Sequence, residues 1–174
     1  LQALPSKGGL GLSPQEFGLV NGTVGVIGFL VGGIIGGMLI SRDGLKKWLW
    51  PMTLAITIPN LTYVYLAYVM PENLMLINVC VAIENLGYGF GFSAYMLFMI
   101  YFSQGEHKTS HYALCTGLMA LSMMLPGLFA GALAQVAGYR LFFIIVMISC
   151  LLPFCVASFL KIDANFGKKE REEE

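Results

Sequence analysis

Charged residues interrupt this chain at only a few places. No Asp, Glu, Lys or Arg occurs from Phe17 to Ser41, Trp48 to Pro71, Asn85 to Gln104, Thr109 to Tyr139 or Leu141 to Leu160. Each window reaches the roughly 20 residues that carry a helix across a hydrocarbon core of about 30 Å. Apolar residues run continuously inside the windows, without the alternation of membrane β-strands. The pattern predicts an all-α, polytopic membrane helix bundle. Five transmembrane helices are expected, over 16–40, 48–69, 74–102, 110–135 and 139–161. Residues 1–15 make an extracytoplasmic leading segment, and 162–174 a charged cytoplasmic tail expected to be disordered. The first fifteen residues are polar and Gly-rich, and the apolar run after them is too long for a signal peptide's core.

Composition agrees with that pattern. Of the 174 residues, 57% are apolar and 11% charged, against about 25% charged in soluble domains. Ten basic and ten acidic residues cancel, which excludes a broad nucleic-acid-binding face. The basic residues are one-sided. Arg42, Lys46, Lys47, Lys108, Lys161, Lys168, Lys169 and Arg171 fall on one side of the five predicted spans, and Lys7 and Arg140 on the other. The positive-inside rule puts the first group, and the tail, in the cytoplasm. The chain then begins outside, at Leu1 rather than a Met. The expectation is a piece of a longer protein whose upstream helices are missing.

Cys80, Cys115, Cys150 and Cys155 fall inside predicted helices, without metal-ligand spacing. Two histidines and scattered acids do not build a metal site, so neither metal nor cofactor is expected.

Gly18-Gly22, Gly28-Gly32-Gly36 and Gly33-Gly37 repeat a small-x-x-x-small spacing in the first helix. In lipid this spacing brings helix backbones together. The third helix carries Glu84-Asn85-Leu86-Gly87-Tyr88-Gly89-Phe90-Gly91. With no strand before it, the run is no dinucleotide loop. A flexible or unwound segment lining a cavity is expected instead.

The first cytoplasmic connection contains Gly37, Arg42, Asp43, Gly44, Lys46 and Lys47. It resembles the loop signature G-x-x-x-D-R-x-G-x-R/K-R/K of the major facilitator superfamily, with Ser41 in place of the usual acid. In that family the loop helps to latch one conformation. Pro126, Gly127 and Gly131, followed by Gly138 and Arg140, resemble the Pro-Gly helix and G-W-R turn at the fifth helix of a facilitator half. Pro126 can kink its helix, and Gly127 and Gly131 suit close packing. The order of the two motifs matches helices two to six of one half. Residues 9–20, 84–87 and 109–114 further resemble AmpG-like permeases, a group of muropeptide and acetyl-coenzyme A transporters. There the five spans would be helices 8–12 of a twelve-helix transporter in the cytoplasmic (inner) membrane of a bacterium. Implied partners are the lipid bilayer, a small-molecule solute and a missing N-terminal half.

Glu84 is the one acid deep in an apolar window. An ionised side chain there costs roughly 2.5–3.5 kcal/mol on insertion scales, so it is kept protonated, paired or solvated. It reads as a proton-coupling or substrate-binding acid, or as a packing hydrogen bond. Glu84, Tyr88, Gly91 and Tyr95 share one helical stripe, with Asn78 and Asn85 on an adjoining one. Asn60, after Pro59, and His111, at the start of the fourth helix near the cytoplasmic face, complete the candidates. The resemblance implies a secondary transporter that works by proton-coupled alternating access and imports a muropeptide or sugar-peptide, and no enzyme. The alternative is a non-catalytic membrane scaffold. An intramembrane hydrolase fails because Gly91-Phe92-Ser93-Ala94-Tyr95 lacks the last Gly of its motif.

Overall fold

Ser13 starts the first helix. Its hydroxyl accepts from the Glu16 N–H while the Glu16 carboxylate accepts from the Ser13 N–H at 2.9 Å, and Pro14 occupies the first turn. This reciprocal cap places the helix start two residues earlier than the apolar pattern alone. The computed structural model describes Leu1 and residues 10–71, 73–163 and 165–168, without the side chains of residues 139 and 140. Lys7, Lys169, Arg171 and the Arg140 side chain therefore lie outside the described residues.

Five helices are long and apolar enough to cross a membrane: Pro14–Asp43, Leu45–Val69, Leu74–Phe102, Lys108–Gly138 and Leu141–Phe159. They are called the first to fifth spans. No strand occurs among the described residues. The first two spans are parted by Gly44 at φ 90°, a conformation costly for any residue with a Cβ. The third begins at Asn73, whose side chain accepts from the Met75 N–H at 2.9 Å. Gly138, at φ 75° and ψ 158°, separates the fourth from the fifth. The second span is broken at Ile58–Pro59, between helices Leu45–Thr57 and Asn60–Val69. Proline supplies no N–H there, and the Thr62 and Asn60 side chains bond to nearby carbonyls.

The third span is the axis of the bundle, packed along both the first and the second. The first–third seam is backbone against backbone. A Cβ on Gly28 would lie 3.0 Å from the Ala82 carbonyl oxygen, and one on Gly36 would lie 2.7 Å from that of Phe90. At Gly32 it would run into the Leu86 carbonyl, and at Gly89 into that of Phe29. Ser93 crosses the seam, donating from Oγ to the Gly33 carbonyl at 2.9 Å. Gly87 and Gly91 do the same work toward the second span, against Ala55, Met52 and Ile56. The expected unwinding around these glycines does not occur. The helix runs unbroken from Leu74 to Phe102, and its glycines admit neighbouring backbones. The irregular stretch lies in the first span instead, a π-helix over Gly18–Gly25.

Apolar side chains close the seam at both ends. Val20, Leu66, Ile77, Cys80 and Val81 cluster at one end, and Ile40, Leu45, Met52, Ala94 and Ile162 at the other. The fifth span lies on the second through stacked rings, Tyr63 on Phe143 and Trp50 on Phe154, with centroids 5.8 and 6.2 Å apart. The fourth span buries none of its most apolar stretch. Gly127 and Gly131, expected to make a second close-packing face, meet nothing within 4 Å among the described residues. The helix passes through Pro126 without leaving helical geometry. Residues 162–163 and 165–168, expected as part of a disordered tail, lie on the bundle, where Ile162 and Phe166 bury apolar surface.

The seam predicts unequal effects for one substitution type. Gly89→Ala pushes a methyl into the Phe29 carbonyl and costs roughly 1–3 kcal/mol by overpacking. Gly37→Ala meets nothing within 4 Å and gains up to about 1 kcal/mol from helix propensity. Denaturing-detergent titration followed by circular dichroism measures both; equal midpoints would refute the seam.

Candidate functional site

Glu84 lies ten residues into the third span, about 15 Å along a helix axis and away from both ends. Its Oε2 accepts from the Tyr63 hydroxyl of the second span at 3.2 Å. It also accepts from Asn85 Nδ2 at 2.8 Å, and the same amide donates to the Val81 carbonyl at 2.9 Å. Asn85 in turn faces the first span, since a Cβ on Gly25 would sit 3.2 Å from Asn85 Nδ2. Two spans therefore meet at one carboxyl group through a hydrogen bond, and its neighbour Asn85 packs against the first span.

The packing glycines define which faces of the third span are taken. Gly87 and Gly91 point at the second span, and Gly89 and Ser93 at the first. At 100° per residue, Glu84, Tyr88, Phe92 and Tyr95 share the remaining arc. Their rings form a run: Tyr88 to Phe92 at 5.9 Å and Phe92 to Tyr95 at 6.3 Å, with Phe29 touching Tyr88 and Phe92 at 5.7 Å each. Carboxyl, amide and aromatic faces thus lie along one side of the bundle. A group so placed can bind hydrogen-bonding and ring-bearing solutes.

Glu84, Tyr88 and Tyr95 lie along one face of the third span, and Asn85, bonded to Glu84, packs against the first span. Asn78 is near their level but faces the packed side, and its Oδ1 is buried without a partner among the described residues. Asn21 Nδ2, in the π-helix, is in the same state. Asn60 serves the broken second span, donating to the Ile56 carbonyl at 3.1 Å and lying 3.8 Å from Cys150 Sγ. His111 is exposed on the fourth span, beyond the far end of the third, about 27 Å along the helix from Glu84. Beside it a cavity of about 490 Å³ is lined by Ile100, Ser103, Gln104, Lys108, Thr109 and Tyr112. No group of three or more metal-ligating residues occurs among the described residues.

Tyr63 is the partner that sequence reasoning missed. Helical periodicity groups residues within one span, and the pairing of Glu84 with Tyr63 lies between spans. Its signal was its position one turn after Asn60, on the same helix face. In the connecting loop, Arg42 and Lys46 are exposed. Asp43 is engaged locally, 3.1 Å from Lys47 Nζ and accepting from Trp48 Nε1 at 3.1 Å. It does not take the place of the acid missing at Ser41, whose hydroxyl donates to the Met38 carbonyl.

The interspan bond predicts a measurable coupling. A double-mutant cycle of Tyr63→Phe and Glu84→Gln should give an interaction energy of about 0.6 kcal/mol, the usual scale for hydrogen bonds between membrane helices. Additive midpoints in denaturing detergent would show that the two side chains do not interact.

Comparison with known proteins follows the same lines. The family model described as Major Facilitator Superfamily matches residues 3–174. The chain is 24% identical over 156 residues to "Putative transporter AmpG 4" of Rickettsia conorii, covering 90% of this chain and 37% of that protein. It is 27% identical over 136 residues to "Anhydromuropeptide permease" of Escherichia coli K12, covering 78% and 28%. A third relative, "Putative transporter AmpG 1" of Rickettsia prowazekii, is 23% identical over 158 residues, covering 90% and 35%. The chain thus spans about a third of the length of these curated relatives. No solved structure matches it significantly.

Proposed function

Because this chain belongs to the Major Facilitator Superfamily, we propose that its five spans are helices 8–12 of a twelve-helix secondary transporter in the cytoplasmic membrane. The carrying observation is the Tyr63–Glu84–Asn85 group, a mid-span carboxyl hydrogen-bonded between the second and third spans, with Asn85 packed against the first. The basic end, with the 42–47 elbow and the 160–168 segment, is cytoplasmic on the positive-inside rule.

Protonation changes what Glu84 can do. The neutral acid donates one hydrogen bond and accepts others, whereas the carboxylate only accepts. The carboxylate is also costly at this depth. A proton arriving on Glu84 removes that cost and rearranges bonds linking the second and third spans. The proton thereby biases the packing of helices that border the solute path, which is what coupling in alternating access requires. The aromatic run of Tyr88, Phe92 and Tyr95 faces the same side and supplies the solute surface. The solute is proposed to be a sugar-peptide, as the name of the Escherichia coli relative suggests.

Glu84→Gln in the full-length protein tests this. The neutral amide should keep exchange of labelled anhydromuropeptide across vesicles and lose proton-driven accumulation by about tenfold or more, a change of ~1.4 kcal/mol in the driving equilibrium. Unchanged accumulation with unchanged proton dependence would overturn the coupling role. Loss of assembly with no transport defect in the assembled fraction would favour the scaffold.

A further inference from the structure

The segment after the fifth span touches the ends of three others. Ile162 is 5% exposed and lies in one apolar cluster with Ile40 of the first span, Leu45 and Met52 of the second, and Ala94 of the third. The Phe166 ring meets Tyr101 of the third span edge to face at 4.7 Å. The Phe166 carbonyl accepts from the Leu45 N–H at 2.9 Å. That N–H is one of the donors that a helix leaves unpaired at its start, and the second span has no side-chain cap to take it. Gly167, at φ 83°, turns the chain tightly over Ile40; a Cβ there would lie 3.0 Å from Ile40 Cγ2. The turn is closed by the Lys168 N–H to the Asn165 carbonyl at 3.1 Å and the Asn165 N–H to Asp163 Oδ1 at 2.9 Å.

We propose that Leu160–Asp163 and Asn165–Lys168 act as a strap that clips together the ends of the first three spans and must release for those ends to part. The elbow beneath it has its acid, Asp43, engaged with Lys47 and Trp48. The strap adds a tie between the elbow and the third span beside the direct packing of Trp48 on Phe90 and of Leu45 with Ala94. Its contacts are apolar and backbone contacts, so salt leaves it intact, unlike a latch of exposed charges.

Two measurements in the full-length protein test the strap, both with its native cysteines replaced. The first uses no transport. An Ala94→Cys reporter beneath the strap is labelled by a maleimide, with and without Phe166→Ala. Losing the edge-to-face pair should raise labelling about two- to tenfold, equally in low and high salt. Unchanged labelling, or an effect that appears only in high salt, would overturn the strap. The second pairs Tyr101→Cys with Phe166→Cys. Oxidation in membranes should form the disulfide, and uptake of labelled anhydromuropeptide should fall until a reductant restores it. No disulfide would overturn the docking, and a disulfide with normal uptake would overturn the release. The release arm rests on the transporter reading above. If the unmodified protein shows no uptake while the reporter responds as expected, that reading fails and the docked strap stands.

Discussion

The structure depends on how closely two helix backbones approach. In lipid there is no hydrophobic force to press one apolar helix on another. Association must come from van der Waals contact, and contact is greatest where no side chain intervenes. Gly28, Gly32 and Gly36 on the first span, and Gly89 on the third, remove the intervening atoms. The two backbones meet, and Ser93 bonds across the join. Every later placement inherits this register. It sets Asn85 against Gly25, puts the Phe29 ring beside Tyr88 and Phe92, and turns Glu84 away from the first span.

Polar groups in an apolar medium must be spent carefully. Thr53, Thr57 and Ser122 each donate to a carbonyl three or four residues back in their own helix. Such bonds satisfy the hydroxyl and link nothing else. Glu84 differs because its partner Tyr63 belongs to another span. A bond within one helix travels with that helix. A bond between helices records their relative position, and a titratable member makes that record sensitive to protons.

Much of this was legible in the sequence, for identifiable reasons. Charge-free windows located all five spans, since lipid tolerates no charge without a cost. The Gly28-Gly32-Gly36 repeat foretold a packed face because its spacing returns to one side of a helix. The same logic misled at Gly127 and Gly131, where the spacing is present and no described neighbour fills it. Spacing reports what a face permits, and only tertiary packing decides what arrives. The glycines from Gly87 to Gly91 misled in the opposite sense. Flexibility in isolation became close packing once Ala55 and Phe29 came against them. The Asn165–Gly167 turn was hidden by the charges around it; its two apolar anchors, Ile162 and Phe166, are too few to form a periodic signal.

The break in the second span ties these observations together. Below Ile58–Pro59, Met52, Ala55 and Ile56 are locked against Gly87 and Gly91. Above it, Tyr63 reaches Glu84. The break therefore lies between a rigid contact and a titratable one. The Ile58 N–H still bonds to the Leu54 carbonyl at 2.8 Å, but Pro59 supplies no N–H to the helical ladder, so the upper half has one restraint fewer on its angle than the docked lower half. Such a tilt would move Tyr63 relative to Glu84 without disturbing the glycine seam. The fifth span would follow, because Phe143 is stacked on Tyr63 with its ring plane only 6° away. One phenol thus joins the Glu84 carboxyl of the third span to the Phe143 ring of the fifth.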